Sequence, residues 1–455
     1  MTRKLLTLIA ASVLLASCKE EGGGDEDTTI DTPVDTVETA PDVTEEDPGE
    51  EEPLPEVNGR LETVDGIDVL WLWGTREEMG YAEGAILCGR IRDMLRDYVL
   101  DYVVPNSGYD YLSLDALVTL IYTIPDGDER ELQALYDGMV ERCPAADLLV
   151  ESENLEPSAG GSRDVEYGDL VIAHALADWA CSSLTVWGEA SALEGTLHAR
   201  NLDFLLDPGG TILDAHLVKI YRSGEDADAT WASVSFPGLI GCISCFNEDG
   251  TGITMHNVAG LGSTTPSVPR MLAARAAMVA ATGSSAIVGD AEAALEACPQ
   301  YVGNNLHLSM DCSGTGCTGG AVFEYDGESS HADSFATVRA PGDVDDGLTT
   351  TEAIVCTNHY VERSTPPTSG GSYDRYQALV DGVNAAVTSG GLDVAGALAL
   401  MDETAALNTG SPTVHTVIMT TADMTLRLYV PASVTVEAPD ATPHVLDLAA
   451  LFADF

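Results

Sequence analysis

The chain has 455 residues, with 20 Lys and Arg against 74 Asp and Glu, and a formal net charge of -54. A surface this acidic repels phosphate backbones and anionic membrane surfaces, which excludes nucleic acid as a partner. Lysine occurs only at Lys4, Lys19 and Lys219, so carboxylates dominate throughout and added salt should improve solubility.

Arg3 and Lys4 precede an apolar run from Leu5 to Leu15, too short to span a bilayer, that ends in Leu15-Ala16-Ser17-Cys18. A basic start, a short apolar stretch and small residues before a cysteine predict a bacterial lipoprotein signal over residues 1–18, cut before Cys18 and acylated on its thiol. Lys19, where an Asp would signal retention, points to the outer membrane of a Gram-negative cell, with membrane attachment through the lipid alone. Residues 19–57 are Glu, Asp, Thr, Pro and Gly with almost no large apolar residue, which predicts a solvated acidic linker. Its carboxylates lack the spacing of a calcium loop.

Residues 58–455 contain no second low-complexity break and read as one large domain. After a strand-like run from Val69 to Trp73, Thr75 with Glu77 and Glu78 predicts a capped helix carrying Met79, Ala82, Ile86, Ile91 and Leu95 on its apolar positions. Further helices are expected over Leu114 to Tyr122, Glu129 to Val140 and Gly168 to Trp179, so the N-terminal third is mostly helical. Strands follow over Ser183 to Ala190, Thr196 to Phe204, Leu217 to Arg222, Thr230 to Phe236 and Gly252 to Val258. Helices at Pro269 to Ala281 and Asp290 to Ala297 lead to strands near Asn305 to Ser309, Ala321 to Tyr325 and Ala353 to Asn358. Helices at Tyr373 to Val387 and Val394 to Met401 precede a last hairpin, Val414 to Thr420 with Thr425 to Val430. Strands and helices grouped in blocks predict α+β layers with antiparallel sheet, not alternating βαβ units.

The chemistry concentrates at Ala180-Cys181-Ser182-Ser183, which opens a strand, turns at Leu193-Glu194-Gly195 and returns through Arg200-Asn201-Leu202-Asp203. A thiol is thereby placed beside an Arg and an Asp, although on spacing alone Arg200 and Asp203 read equally well as a strand ion pair. Of the 10 cysteines, setting aside Cys18 and Cys181 leaves an even eight, which suits disulfides in an exported chain but does not choose their pairing. Cys242-Ile243-Ser244-Cys245 has no second CxxC or paired His at ligand spacing, so neither a zinc site nor a redox motif is expected there. Trp187, Phe204, Phe236 and Tyr360 are candidates either for an apolar acyl pocket or for the core.

Cys181-Ser182-Ser183, the return strand His198 to Phe204, Pro237-Gly238-Leu239-Ile240-Gly241 with Asn247-Glu248-Asp249-Gly250, and Thr357-Asn358-His359-Tyr360 occur in that order. Together they resemble N-terminal-nucleophile (Ntn) hydrolases of the acyl-coenzyme A:6-aminopenicillanate acyltransferase type, peptidase family C45, kin of choloylglycine hydrolases and penicillin V acylases. The resemblance covers most of Val69 to Val430. It implies a four-layer αββα sandwich made as a precursor that cuts its own chain, here at Ala180-Cys181. Residues 58–180 would then stay bound as a helical chain and 181–455 would be the catalytic chain. By the same resemblance Cys181 is the nucleophile, its freed amine the base, Arg200 the cation favouring the thiolate and Asp203 the group orienting the amine. Asn257 would donate to the oxyanion, Asn358 would be the second active-site Asn, and Arg375 would close the site.

Ala180 stands where this type usually has Gly, and the segment ahead of Cys181 is long. The implied activity is hydrolysis or acyl transfer at a linear amide of a small N-acyl substrate, through a thioester and without a cofactor or metal. Hydrolysis is favoured because an acidic surface repels coenzyme A. His256 and His359 are read as structural. Two competing readings are a papain-like peptidase using Cys181, His359 and Asn358, and a lipoprotein of this fold that only binds ligands.

Overall fold

The computed structural model describes residues 54–455 apart from 156–160, 177–179, 226–228, 315, 328–335 and 407–410. The expected signal, Cys18 and the acidic stretch to residue 53 lie outside the described residues, as do residues 177–179 beside the expected cut. Strands β1 (Gly59–Val64) and β2 (Ile67–Gly74) form a hairpin whose turn residues Asp65 and Gly66 both have positive φ, the backbone that an Asp-Gly turn supplies.

Helix α1 (Arg76–Asp93) begins at Thr75, whose hydroxyl accepts from the Glu78 N–H while the Glu78 carboxylate accepts from the Thr75 N–H. This reciprocal cap bears out the expected helix start. The helix runs on as a π-helix, Met94–Val103. Helices α2 (Tyr111–Ile121) and α3 (Asp126–Arg142), a small hairpin of β3 (Leu149–Glu151) and β4 (Ser162–Asp164), and α4 (Tyr167–Ala175) follow. α1 and α3 pack in backbone contact, because a Cβ at Gly80 would stand 2.1 Å from the Glu131 carbonyl and one at Gly138 2.2 Å from the Tyr81 carbonyl. The Cys88–Cys143 disulfide ties α1 to the end of α3.

The rest is strand-rich: β5 (Ala180–Val186), β6 (Leu197–Asp203), β7 (Leu217–Ser223), β8 (Thr230–Ser235), β9 (Ser244–Asn247) and β10 (Gly252–Val258). Helices α5 (Arg270–Ala281) and α6 (Ile287–Glu296) lead into β11 (Gly303–Ser309), β12 (Gly320–Tyr325), β13 (Ala336–Arg339) and β14 (Ala353–Cys356). Then come α7 (Gly371–Ser389), α8 (Val394–Ala406), β15 (Thr413–Thr420), β16 (Thr425–Tyr429), β17 (His444–Asp447) and α9 (Leu448–Ala453). One sheet has the order β1-β2-β7-β8-β9-β10-β11-β12-β13 and a second β14-β5-β6-β15-β16-β17.

Every pairing within these two sheets is antiparallel except β2 with β7, which is parallel. The helical N-terminal chain expected from the sequence therefore also carries the four strands β1 to β4, and β2 is hydrogen-bonded into the sheet of the chain beyond Cys181. Alternation along the strands sorts side chains between faces. Val69 and Trp71 of β2 share a core with Val218 and Ile220 of β7 and with Val417, Leu426 and Leu446 of the second sheet. Leu70 and Leu72 turn the other way, onto Met79, Leu87 and Leu132 of the N-terminal helices. The second sheet packs Leu184, Val186, Ala199 and Ile418 against Leu379, Val383 and Met401 of α7 and α8.

Candidate active site

The hairpin register puts Cys181 opposite Leu202, Ser183 opposite Arg200 and Ala180 opposite Asp203. Period-two alternation then fixes two faces. Cys181, Ser183 and Arg200 share one, while Ser182 and Asp203 share the other, toward α7. On the first face Arg200 Nη2 donates to Cys181 Sγ at 3.0 Å and to the Met255 carbonyl at 3.2 Å. On the second, Arg375 in the first turn of α7 lies 3.5 Å from Asp203 Oδ2 and donates to the Cys181 carbonyl (2.7 Å) and to Ser182 Oγ (2.5 Å). Arg375 is itself buried.

The peptide N–H of Cys181 donates to Asn358 Oδ1 at 2.9 Å, which also accepts from Arg375 Nη2 at 2.8 Å. Asn358 Nδ2 donates to the Asn257 carbonyl at 2.7 Å, which sets the orientation of the Asn358 amide. The Asn257 side chain is half-buried and has no hydrogen-bond partner among the described residues. Cys181, Arg200, Asp203, Asn257, Asn358 and Arg375 are thus brought together from β5, β6, β10, the segment after β14, and α7.

In the uncut chain the Cys181 N–H donates to Asn358 Oδ1, while Asp203 Oδ1 accepts from Thr413 Oγ1 at 2.6 Å. Asp203 acts on the thiol through its charge. Burial pushes the Cys181 thiol up, Arg200 pulls it down, Asp203 pushes it up and Arg375 pulls it down, and the balance is upward. The cation beside the sulfur therefore offsets, without reversing, the cost of ionising a thiol sealed from water. In this uncut chain the amine that would serve as base is still a peptide N–H.

His359 contacts Ser372 Oγ at 2.8 Å and Thr357 Oγ1 at 3.2 Å, and burial lowers it to about 4. It does not contact the sulfur, so the papain-like arrangement is not formed. His256 belongs to a buried chain that composition did not reveal: His256 Nε2, Ser183 Oγ, His307 Nδ1 and Nε2, Thr185 Oγ1 and His198 Nδ1 lie successively 2.6–2.8 Å apart. Period-two spacing of Ser183, Thr185, His198 and Arg200 was the available signal.

Phe204 and Phe236 line an apolar pocket with Leu95, Tyr98, Leu170 and Leu239. Trp187 instead packs in a small core with Val322 and Ile354, and the Tyr360 hydroxyl donates to the Tyr325 carbonyl at 2.9 Å. Cys242 pairs with Cys245 and Cys312 with Cys317, while Cys181, Cys298 and Cys356 are free and buried. The even remainder of eight thiols is therefore not all paired, since Cys298 and Cys356 sit in the core. Among the described residues no cluster of His, Cys, Asp and Glu could hold a metal ion.

No family model matches the chain. Protein dcd1A of Dictyostelium discoideum is 22% identical over 199 residues, which are 40% of this chain and 42% of that protein, so less than half of its length is matched. Among solved structures, the Caenorhabditis elegans N-acylethanolamine-hydrolyzing acid amidase ortholog has a TM-score of 0.37 at 13% identity, over 57% of this chain and 98% of its own. A conjugated bile acid hydrolase from Clostridium perfringens has 0.38 at 10%, over 59% and 93%. Penicillin V acylase from Agrobacterium tumefaciens has 0.35 at 14%, over 58% and 84%.

Proposed function

We propose that this protein is a cysteine Ntn amide hydrolase that activates itself by cutting Ala180–Cys181. The observation that carries the reading is the double hold on one residue: Cys181 Sγ meets Arg200 at 3.0 Å while its backbone nitrogen meets Asn358 at 2.9 Å. A residue whose thiol and amine both act needs partners at both ends, and Cys181 has them. In the activating step Sγ attacks the Ala180 carbonyl and the C–N bond breaks to give a thioester and the Cys181 amine. Water then cleaves the thioester, leaving a carboxylate on Ala180 and a free thiol on Cys181.

In turnover the amine takes the thiol proton as Sγ attacks a substrate amide carbonyl. The half-buried Asn257 amide donates to the oxyanion, and the same amine returns the proton to the departing amine. Water resolves the acyl thioester. Arg375 and Asp203 hold the strand end rigid, and the apolar pocket beside Phe204 takes the acyl group. Hydrolysis is favoured over transfer from coenzyme A because the net charge of -54 repels that anion. The three cores described above support a four-layer αββα arrangement, and the disulfides support an exported protein, while the lipid anchor rests on the sequence pattern ending at Cys18 alone.

The test is amine release from a panel of N-acyl amides of graded acyl length by the purified protein and by Cys181→Ala. Turnover that rises with acyl length and vanishes in the variant supports the reading. Equal binding of the same ligands by both proteins with no turnover in either would favour the binding lipoprotein.

A further inference from the structure

Arg200 is fully buried, yet among the described residues no carboxylate stands within ion-pair distance of it. Its terminal N–H groups are all used: Nη1 donates to Ser244 Oγ at 2.6 Å and to His415 Nε2 at 3.2 Å, Nη2 to Cys181 Sγ and the Met255 carbonyl. Apart from the sulfur, every acceptor is neutral. A desolvated guanidinium without a counter-ion favours whichever neighbour can become an anion.

The histidine tautomers follow from the end of the chain of contacts. The Leu213 carbonyl can only accept, so His216 Nδ1, at 3.0 Å, carries a proton and donates to it. A neutral His216 then accepts at Nε2 from His415 Nδ1–H, also at 3.0 Å. That leaves His415 Nε2 as a bare acceptor facing Arg200, with Ser244 Oγ 3.2 Å away. Burial holds His216 down at about 4, and burial, His216 and Arg200 together hold His415 well below the usual imidazole range, so both rings stay neutral at ordinary pH. Ser244 is itself fixed on β9 between the disulfide partners Cys242 and Cys245.

We propose that His415, His216 and Ser244 are positioning residues for Arg200, holding it against Cys181 with neutral acceptors only, so that its contacting anion is the Cys181 thiolate. The inference rests on Cys181 being the nucleophile. The other groups facing this cluster are His256 from β10 and His198 from β6 near Arg200, His444 from β17 acting on His216, and Asp203, Arg375 from α7 and Cys356 from β14 near the sulfur.

The experiment measures iodoacetamide alkylation of Cys181 against pH in the processed protein by peptide mass, together with kcat and KM on an N-acyl amide. His415→Glu sets a carboxylate against Arg200, and the apparent thiol pKa should rise by about one unit or more. His415→Leu and Ser244→Ala each remove an acceptor and should lower kcat about tenfold at unchanged KM, the scale of one lost charged hydrogen bond. His415→Gln, whose amide oxygen falls near the Nε2 position, should return both readouts toward wild type. A wild-type alkylation profile in His415→Glu with wild-type kcat in Ser244→Ala overturns the inference and leaves the nucleophile standing. Ser244→Ala adds neither charge nor bulk and decides the question alone if His415→Glu does not fold. An uncut wild-type chain whose Cys181 is never alkylated overturns the nucleophile itself.

Discussion

The cut proposed before Cys181 would leave an N-terminal fragment whose retention depends on contacts across the cut, and one of these can be isolated. Lys219 of β7 donates to Glu83 Oε1 of α1 at 2.5 Å and to the Leu239 carbonyl at 2.8 Å, and Glu83 Oε1 also accepts from the Gly238 N–H at 2.8 Å. The side chains are 0% and 1% exposed, and burial lowers the Lys219 pKa against the opposing pull of Glu83. Lys219→Met leaves a carboxylate in the core with one backbone donor, and breaking a buried pair in this way costs about 3–5 kcal/mol. Glu83→Gln leaves the ammonium without its counter-ion and should cost a comparable amount. The double variant keeps the shape and removes both charges, so its cost should fall well below the sum of the singles. Urea unfolding of the four proteins gives the cycle, and size exclusion after cutting shows whether the fragment stays bound. Single variants costing under about 1 kcal/mol, or a strictly additive double variant, would refute the claim that the pair couples the two chains.

Asn257→Ala should lower kcat about 10²- to 10³-fold with little change in KM, the signature of a lost oxyanion donor, as read by steady-state kinetics. Cys88→Ser opens a loop with a sequence separation of 55, and loop entropy sets the loss at about 4 kcal/mol in urea unfolding. His174 is pinned neutral between the Leu170 carbonyl at 2.7 Å and the Ile240 N–H at 3.1 Å, and burial lowers it to about 4. Because the unfolded chain takes up the proton first, its contribution is complete above the usual imidazole pKa of about 6.5 and is lost as pH falls from there to about 4. Wild type should lose stability over that window by up to about 1.4 kcal/mol per pH unit more than His174→Gln. Parallel curves would sink this assignment.

The legible parts of the fold were those written in local pattern. The Thr75 cap, the β5–β6 hairpin and the helices from Arg270 and Gly371 follow from capping, turn and periodicity signals within about ten residues. The parallel pairing of β2 with β7 joins segments some 150 residues apart and leaves no local trace, and the short strand β13 is too brief to show alternation. The six candidate residues were named from their order along the chain, and the structure brings them together at the start of β5, Arg200 on the sulfur and Asn358 on the backbone nitrogen of Cys181. Which of Asp203 and Asn358 meets the Cys181 nitrogen was not legible, because it depends on the angle at which the loop after β14 approaches the start of β5. The His216–His415–Arg200 contacts were invisible for the same reason: residues far apart in sequence meet only once the two sheets face each other.

The central claim is that Cys181 becomes an amino terminus, and intact mass with N-terminal sequencing of wild type and Cys181→Ala tests it most directly. The account predicts two wild-type fragments, the second beginning at Cys181, that remain together without denaturant, and a single uncut chain in the variant. One uncut chain in both proteins, with amide turnover still present in the wild type, would contradict it.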